Sequence, residues 1–167
     1  MKPFLGFGVF TQNRTTRKGV PVAASFETWV KAALRGRHAG RQQVNIVLFG
    51  EAEARAVNCK YRGKDYATNV LSFAYEPAPR EKTGLLGDLV ICPAVVAREA
   101  AEQGKTPREH YAHLTVHGTL HLLGHDHDRP ADAKRMEALE RTILARLGIA
   151  DPYETVAKPV RKKRVNK

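Results

Sequence analysis

Two cysteines, Cys59 and Cys92, are all that the 167 residues contain. Their scarcity excludes a multi-bridge disulfide framework and a four-thiolate zinc site, and makes free buried thiols in a cytoplasmic chain the simplest reading. Long apolar runs are missing too. The longest aromatic-rich stretch near the start, Phe4 to Phe10, is far too short to span a bilayer, so no membrane partner is expected. It runs into Thr11-Gln12-Asn13-Arg14 and not into a small-residue cleavage site, which argues against a secretory signal. Acidic residues form the third shortage: 17 Asp and Glu stand against 28 Lys and Arg, a formal charge of +11. No internal repeat is visible. What remains is ordinary globular usage, 43% hydrophobic, in a length suited to one domain.

An excess of positive charge points to a polyanionic partner such as nucleic acid. The excess is concentrated at the ends. Residues 1–20 carry four basic and no acidic side chains, and residues 158–167 carry six basic ones. Residues 21–157 hold 18 basic and 17 acidic side chains, a net of +1. Within them, 31–64 sums to +6 and 65–157 to −4. The chain therefore divides into a basic, partly ordered extension over 1–20, a domain over 21–157 and a disordered basic tail over 158–167.

Periodicity and punctuation predict the elements of that domain. Phe4 to Phe10 reads as a first strand weakened by Gly6 and Gly8, and Thr11 to Gly19 as a loop. Ser25 to Leu34 has helical spacing, with Ser25 as N-cap. Val44 to Phe49 is a strand and Glu51 to Cys59 an Ala-rich helix. Asn69–Tyr75 and Leu85–Cys92 read as strands joined by a hairpin loop over Glu76–Gly84. Ala94 to Gln103 is a helix stopped by Gly104. Thr106-Pro107-Arg108-Glu109 is a capping box opening a helix to about Leu123, and Ala131 to Leu147 is the last helix. The fold class is α+β: a single compact domain with a mixed sheet packed by helices.

Six of the seven histidines fall between His110 and His127. Neutral imidazole is the commonest transition-metal ligand, so the clustering predicts a metal site on the late helix and the loop after it. His113, His117 and His121 share one helix face, but the outer two are separated by about 12 Å of helical rise, too far to grip one ion. Gly124 can turn the chain back toward the helix, which favours His117 and His121 as a pair with a third ligand from the loop. Both His127 and His125 compete for that place. With His127 the spacing is that of the metzincin peptidases, except that Gly118 stands where their glutamate base belongs. Three nitrogens and an open fourth position make a hydrolytic zinc site, which lowers the pKa of bound water and polarises a phosphoryl or carbonyl oxygen. His113 reads as packing or as support for the ligands, His110 and His38 as surface residues, and Met136 as core. Asp126 and Asp128 are candidates to orient ligand imidazoles, with capping of the next helix as Asp128's alternative. The stretch Lys60-Tyr61-Arg62-Gly63-Lys64 offers cations for a phosphate, Arg62 foremost, although its spacing alone equally fits a solvated loop.

Three segments carry a family resemblance: His117-Gly118-Thr119-Leu120-His121-Leu122-Leu123-Gly124-His125-Asp126-His127; Asn58-Cys59-Lys60-Tyr61-Arg62-Gly63-Lys64-Asp65 with Thr68-Asn69-Val70-Leu71-Ser72-Phe73; and Gly87-Asp88-Leu89-Val90-Ile91-Cys92. Together they resemble the YbeY family of bacterial endoribonucleases over most of residues 44 to 147. Asn69 departs from an aspartate often found before Val-Leu-Ser-Phe, and Ala74 from a proline after it. The resemblance implies one zinc ion per chain on His117, His121 and His127. It also implies single-strand RNA cleavage in ribosomal RNA maturation and small-subunit quality control, with the small ribosomal subunit and its assembly factors as partners. The family's important arginine falls on Arg62, flanked by Lys60 and Lys64 as RNA contacts. A zinc peptidase with an unusual base, and a non-catalytic zinc-containing assembly factor, are the competing expectations.

Overall fold

The computed structural model describes residues 6–38 and 40–154. Four strands, β1 (Gly8–Asn13), β2 (Gln43–Leu48), β3 (Val70–Ala74) and β4 (Leu85–Ile91), form one sheet in the order β1-β2-β4-β3. The first two pairings are parallel and β3–β4 is antiparallel, so the sheet is mixed. Around it lie α1 (Ala23–Leu34), α2 (Glu51–Arg62), α3 (Pro93–Gln103), α4 (Pro107–Leu122) and α5 (Pro130–Arg146).

Side-chain alternation decides which sheet face is covered. Val44, Ile46 and Leu48 of β2 and Leu89 and Ile91 of β4 are fully or almost fully buried, and they pack with Phe26, Trp29 and Val30 of α1 and with α4 and α5. The α4 helix runs through the middle of the molecule: Tyr111, Leu114, Val116, Gly118 and Leu120 are buried, and the face carrying His113, His117 and His121 is partly exposed. A helix so largely enclosed carries mixed polarity only where its polar groups have partners. Its start is the expected capping box, with the Thr106 hydroxyl accepting from the Glu109 amide and the Glu109 carboxylate from the Thr106 amide.

Several local expectations are corrected. The first strand begins at Gly8 and takes in Thr11 to Asn13, because parallel pairing with β2 satisfies that polar backbone; Phe4 and Leu5 lie outside the described residues. Ser25 is not an N-cap: α1 starts at Ala23 after Val22, and Ser25 Oγ instead accepts from Arg108 Nη1 at 3.0 Å. The α2 helix extends past Cys59 to Arg62 and ends on Gly63, in the left-handed conformation at φ 68°. Cys59 is exposed on that helix, so only Cys92 is a buried thiol. The basic tail expected over 158–167 lies outside the described residues.

Candidate metal centre and nucleic-acid cleft

The end of α4 sets the histidine geometry. Gly124 adopts φ 93°, open to glycine at little cost, and two bonds close the turn: Gly124 N–H to His121 O at 2.9 Å and His125 N–H to Leu120 O at 3.0 Å. The reversal returns the following loop to the helix face. Ligand atoms of His117, His121 and His127 thereby lie within 4.8 Å of one another, and His117 Nε2 stands 3.1 Å from His121 Nε2. Nitrogens sharing a tetrahedral zinc at ordinary bond lengths sit about 3.3 Å apart, so this donor set fits such an ion with little movement. His125 lines the same cleft but is not part of that convergence.

The protonation states agree. Burial, then the neighbouring imidazoles of His117 and His127, lower the pKa of His121 to about 4. It is therefore neutral and keeps a lone pair for a cation at physiological pH. His117 Nδ1 donates to Glu140 Oε1 at 2.5 Å, which fixes the tautomer and leaves Nε2 as the coordinating atom. Glu140 is 0% exposed. Burial alone would raise its pKa, but hydrogen bonds from His113 and His117, with the Tyr153 hydroxyl adding another, outweigh burial and hold it at about 2. The Tyr153 hydroxyl is pushed up by burial and by that carboxylate. His113, His117 and Glu140 form a second close group, but its members are tied to each other by hydrogen bonds.

The residues expected to orient ligands do something else. Asp126 accepts the backbone N–H groups of His127 (2.6 Å) and Asp128 (3.3 Å), shaping the loop, and Arg129, not Asp128, is the residue before α5. Orientation falls to Glu140. Its sequence signal was its position among Met136, Ile143 and Leu144 on the buried face of α5, where a carboxylate needs partners. His110 is likewise no surface residue. It is 2% exposed, with Nε2 at 2.7 Å from Glu99, whose carboxylate also accepts from Asn69 Nδ2 at 3.0 Å. Burial lowers the His110 pKa despite Glu99. His113 does support a ligand, through Glu140, Met136 is core, and His38 is partly exposed.

The three histidines form one wall of a cleft of ≈ 810 Å³, and Arg62, Lys64, Thr68, Asn69 and Ser72 contribute to the other. Arg62 Nη2 donates to the Ser72 carbonyl at 3.2 Å, and the guanidinium lies 5.8 Å from the centre of the Phe73 ring. That anchoring steadies the fork at the cleft edge and leaves other N–H groups for an anion. Lys60 is not a lining residue; its ammonium lies over the Tyr61 ring at 5.1 Å. Gly118 faces the sheet, where a Cβ would stand 2.8 Å from Leu89 Cδ2 and 3.2 Å from Ser72 Oγ. A side chain there would have to displace Leu89 and Ser72, and with glycine in that place the base a metzincin-like peptidase requires is missing.

Residues 10–148 match the sequence profile of the family described as Endoribonuclease YbeY. The chain is 60% identical over 141 residues to a protein named Endoribonuclease YbeY from Xanthomonas oryzae pv. oryzae, covering 82% of this chain and 87% of that one. It is 55% identical over 140 residues to the protein of that name from Alkalilimnicola ehrlichii, covering 82% and 84%. The solution structure of a Thermotoga maritima protein superposes with a TM-score of 0.55 at 22% identity, over 88% of this chain and 99% of that one, a likeness of fold.

Proposed function

Since the chain belongs to the YbeY family of endoribonucleases, we propose that it is a zinc-dependent nuclease that cuts single-stranded RNA. In this reading it acts in the cytoplasm, in ribosomal RNA maturation and small-subunit quality control, with the small ribosomal subunit and its assembly factors as partners. One zinc ion per chain is held by His117, His121 and His127. The observation that carries the reading is the convergence of three imidazole nitrogens on one wall of a cleft with Arg62 on its edge.

Bound there, zinc would acidify water and polarise a phosphoryl oxygen. The chain supplies the remainder. Glu140 keeps the His117 proton on Nδ1, so that Nε2 presents its lone pair. Arg62 grips the scissile phosphate and offsets the charge that builds on its oxygens during displacement. Lys64, beside it in the cleft, and Lys60, on the outer side of α2, contact the flanking backbone. Residues 21–157 carry the chemistry, and the basic ends at 1–20 and 158–167 add affinity for the polyanion.

The test combines metal content with cleavage. Purified protein should hold about one zinc per chain and cut a single-stranded RNA, losing the cleavage on chelation and regaining it with zinc. His121→Ala should lose both metal and cleavage, whereas Arg62→Glu should keep metal and lose cleavage. A metal-free His117→Ala/His121→Ala protein that cuts at the parent rate would sink the assignment. Tight RNA binding with no metal-dependent turnover would replace it with an assembly-factor role.

A further inference from the structure

The sheet has a second face, and α2 covers only part of it. Alternation turns Asn45 and Val47 of β2 and Asp88 and Val90 of β4 away from the core. The register then draws one row across all four strands: Phe10 pairs with Asn45, Asn45 with Asp88, and Asp88 with Phe73. The row is aromatic at both ends and polar between them. Phe10 is 58% exposed, and so is Tyr61, which reaches the same groove from α2 and meets Phe73 edge-on with ring centres 5.2 Å apart. The groove encloses ≈ 610 Å³.

Two observations identify what such a surface takes. Among Val47, Val57 and Val90 its floor carries one polar pair: Asn45 Nδ2 donates to Asp88 Oδ1 at 2.9 Å, leaving Asp88 Oδ2 without a protein partner among the described residues. A carboxylate oxygen between exposed rings suits the exocyclic amino groups of nucleobases better than an apolar protein side chain. The groove also borders the metal cleft, across the edge strand β3 and the end of α2. Ser72 and Phe73 are consecutive on β3, one lining the cleft and the other the groove; Tyr61 and Arg62 divide in the same way at the end of α2. Cations stand along that border, with Arg62 over the Phe73 ring and Lys60 over Tyr61.

We infer that this open sheet face is a second RNA subsite, on which unpaired bases of a strand leaving the metal cleft stack against Tyr61 and Phe10 while Asp88 and Asn45 meet base edges. Exposed aromatics on a sheet are a recurrent platform for single-stranded bases, because every base offers a π-face. Phe10 and Phe73 are separated by three strand spacings, about 14 Å, enough for several stacked or splayed nucleotides. The inference rests on the RNA-cleaving reading and extends it outward from the cleft.

The test compares zinc-loaded parent protein with Phe10→Ala, Phe10→Trp and the Phe10→Ala/Tyr61→Ala pair. The substrates are single-stranded RNAs of about four and about twelve nucleotides, the longer one also with abasic sites outside the cleaved segment. The expected result is a KM for the long RNA raised by about tenfold in Phe10→Ala, and further in the pair, with kcat unchanged. Phe10→Trp should keep the parent KM. The short RNA should not distinguish parent from Phe10→Ala, and the abasic RNA should give the parent protein the weak KM of the variant. Equal KM values for the long RNA in all four proteins would overturn the inference while leaving the nuclease reading intact. So would equal losses on long and short RNA, or loss of self-association in the pair, which would make the face a protein interface. A parent protein that cuts neither RNA would fail the nuclease reading, and this inference with it.

Discussion

Glu140 is the residue on which the site turns. A carboxylate with no exposure is costly unless its lone pairs are filled, and here His113, His117 and Tyr153 fill them. Removing the charge while keeping the shape is therefore a sharp probe. Glu140→Gln is expected to weaken zinc binding by about 10–100-fold, because an amide accepts less strongly from Nδ1 and no longer enforces the tautomer. Competition with a chromogenic chelator measures it; parent-like affinity would show that His117 needs no such partner. Asn69 shows a related economy at the other end of the cleft. Its amide donates to Glu99, which also takes His110, and an aspartate in that place would set two carboxylates against each other.

Among the elements, α4 and the β3–β4 hairpin are locked by two glycines that let backbone and side chains approach closely. At Gly87 a Cβ would meet the Phe73 carbonyl oxygen at 2.3 Å and Leu122 Cδ2 at 2.7 Å. The oxygen belongs to the paired strand and cannot swing aside, so repacking offers no escape. Gly87→Ala should cost about 3 kcal/mol or more, read as a lower midpoint in reversible thermal or urea unfolding. A loss under about 0.5 kcal/mol would mean that the hairpin yields more easily than its register implies. Because β3 carries Ser72 and the Arg62 anchor point, and Leu122 ends the histidine helix, the same substitution should loosen the cleft.

For the whole molecule, the distribution of charge matters more than its total. Six cations in residues 158–167 follow a stretch, 21–157, whose net charge is only +1. If the tail meets phosphates, deleting 158–167 should weaken single-stranded RNA binding most at low salt. It should reduce the slope of log affinity against log salt by up to about four, some 0.7 for each phosphate that the tail no longer neutralises. Zinc content should not change. Filter binding across a salt series checks this, and an unaltered slope would make the tail incidental to RNA.

Much of this protein was legible in one dimension. The capping box at Thr106, the helix stop at Gly104, the alternation in β2 and β4 and the histidine spacing around Gly124 are local signals, set by dihedral preference and side-chain period. These suffice to specify an α+β domain, and they singled out His117 and His121 on one helix face with a loop histidine to follow. Other features depend on contacts between distant segments. Spacing alone left His125 beside His127, and the family resemblance pointed to His127; where the loop lands in the folded chain brings His127, and not His125, to the helical pair. Ser25 resembled a cap until Arg108, far along the chain, claimed its hydroxyl. His110 and Glu140 are polar residues in the interior, legible as such only when Glu99, His113 and Tyr153 are seen to surround them. Local rules determine which elements form and which side chains share a face. Burial and partnership arise when the faces meet, and the tertiary structure alone decides them.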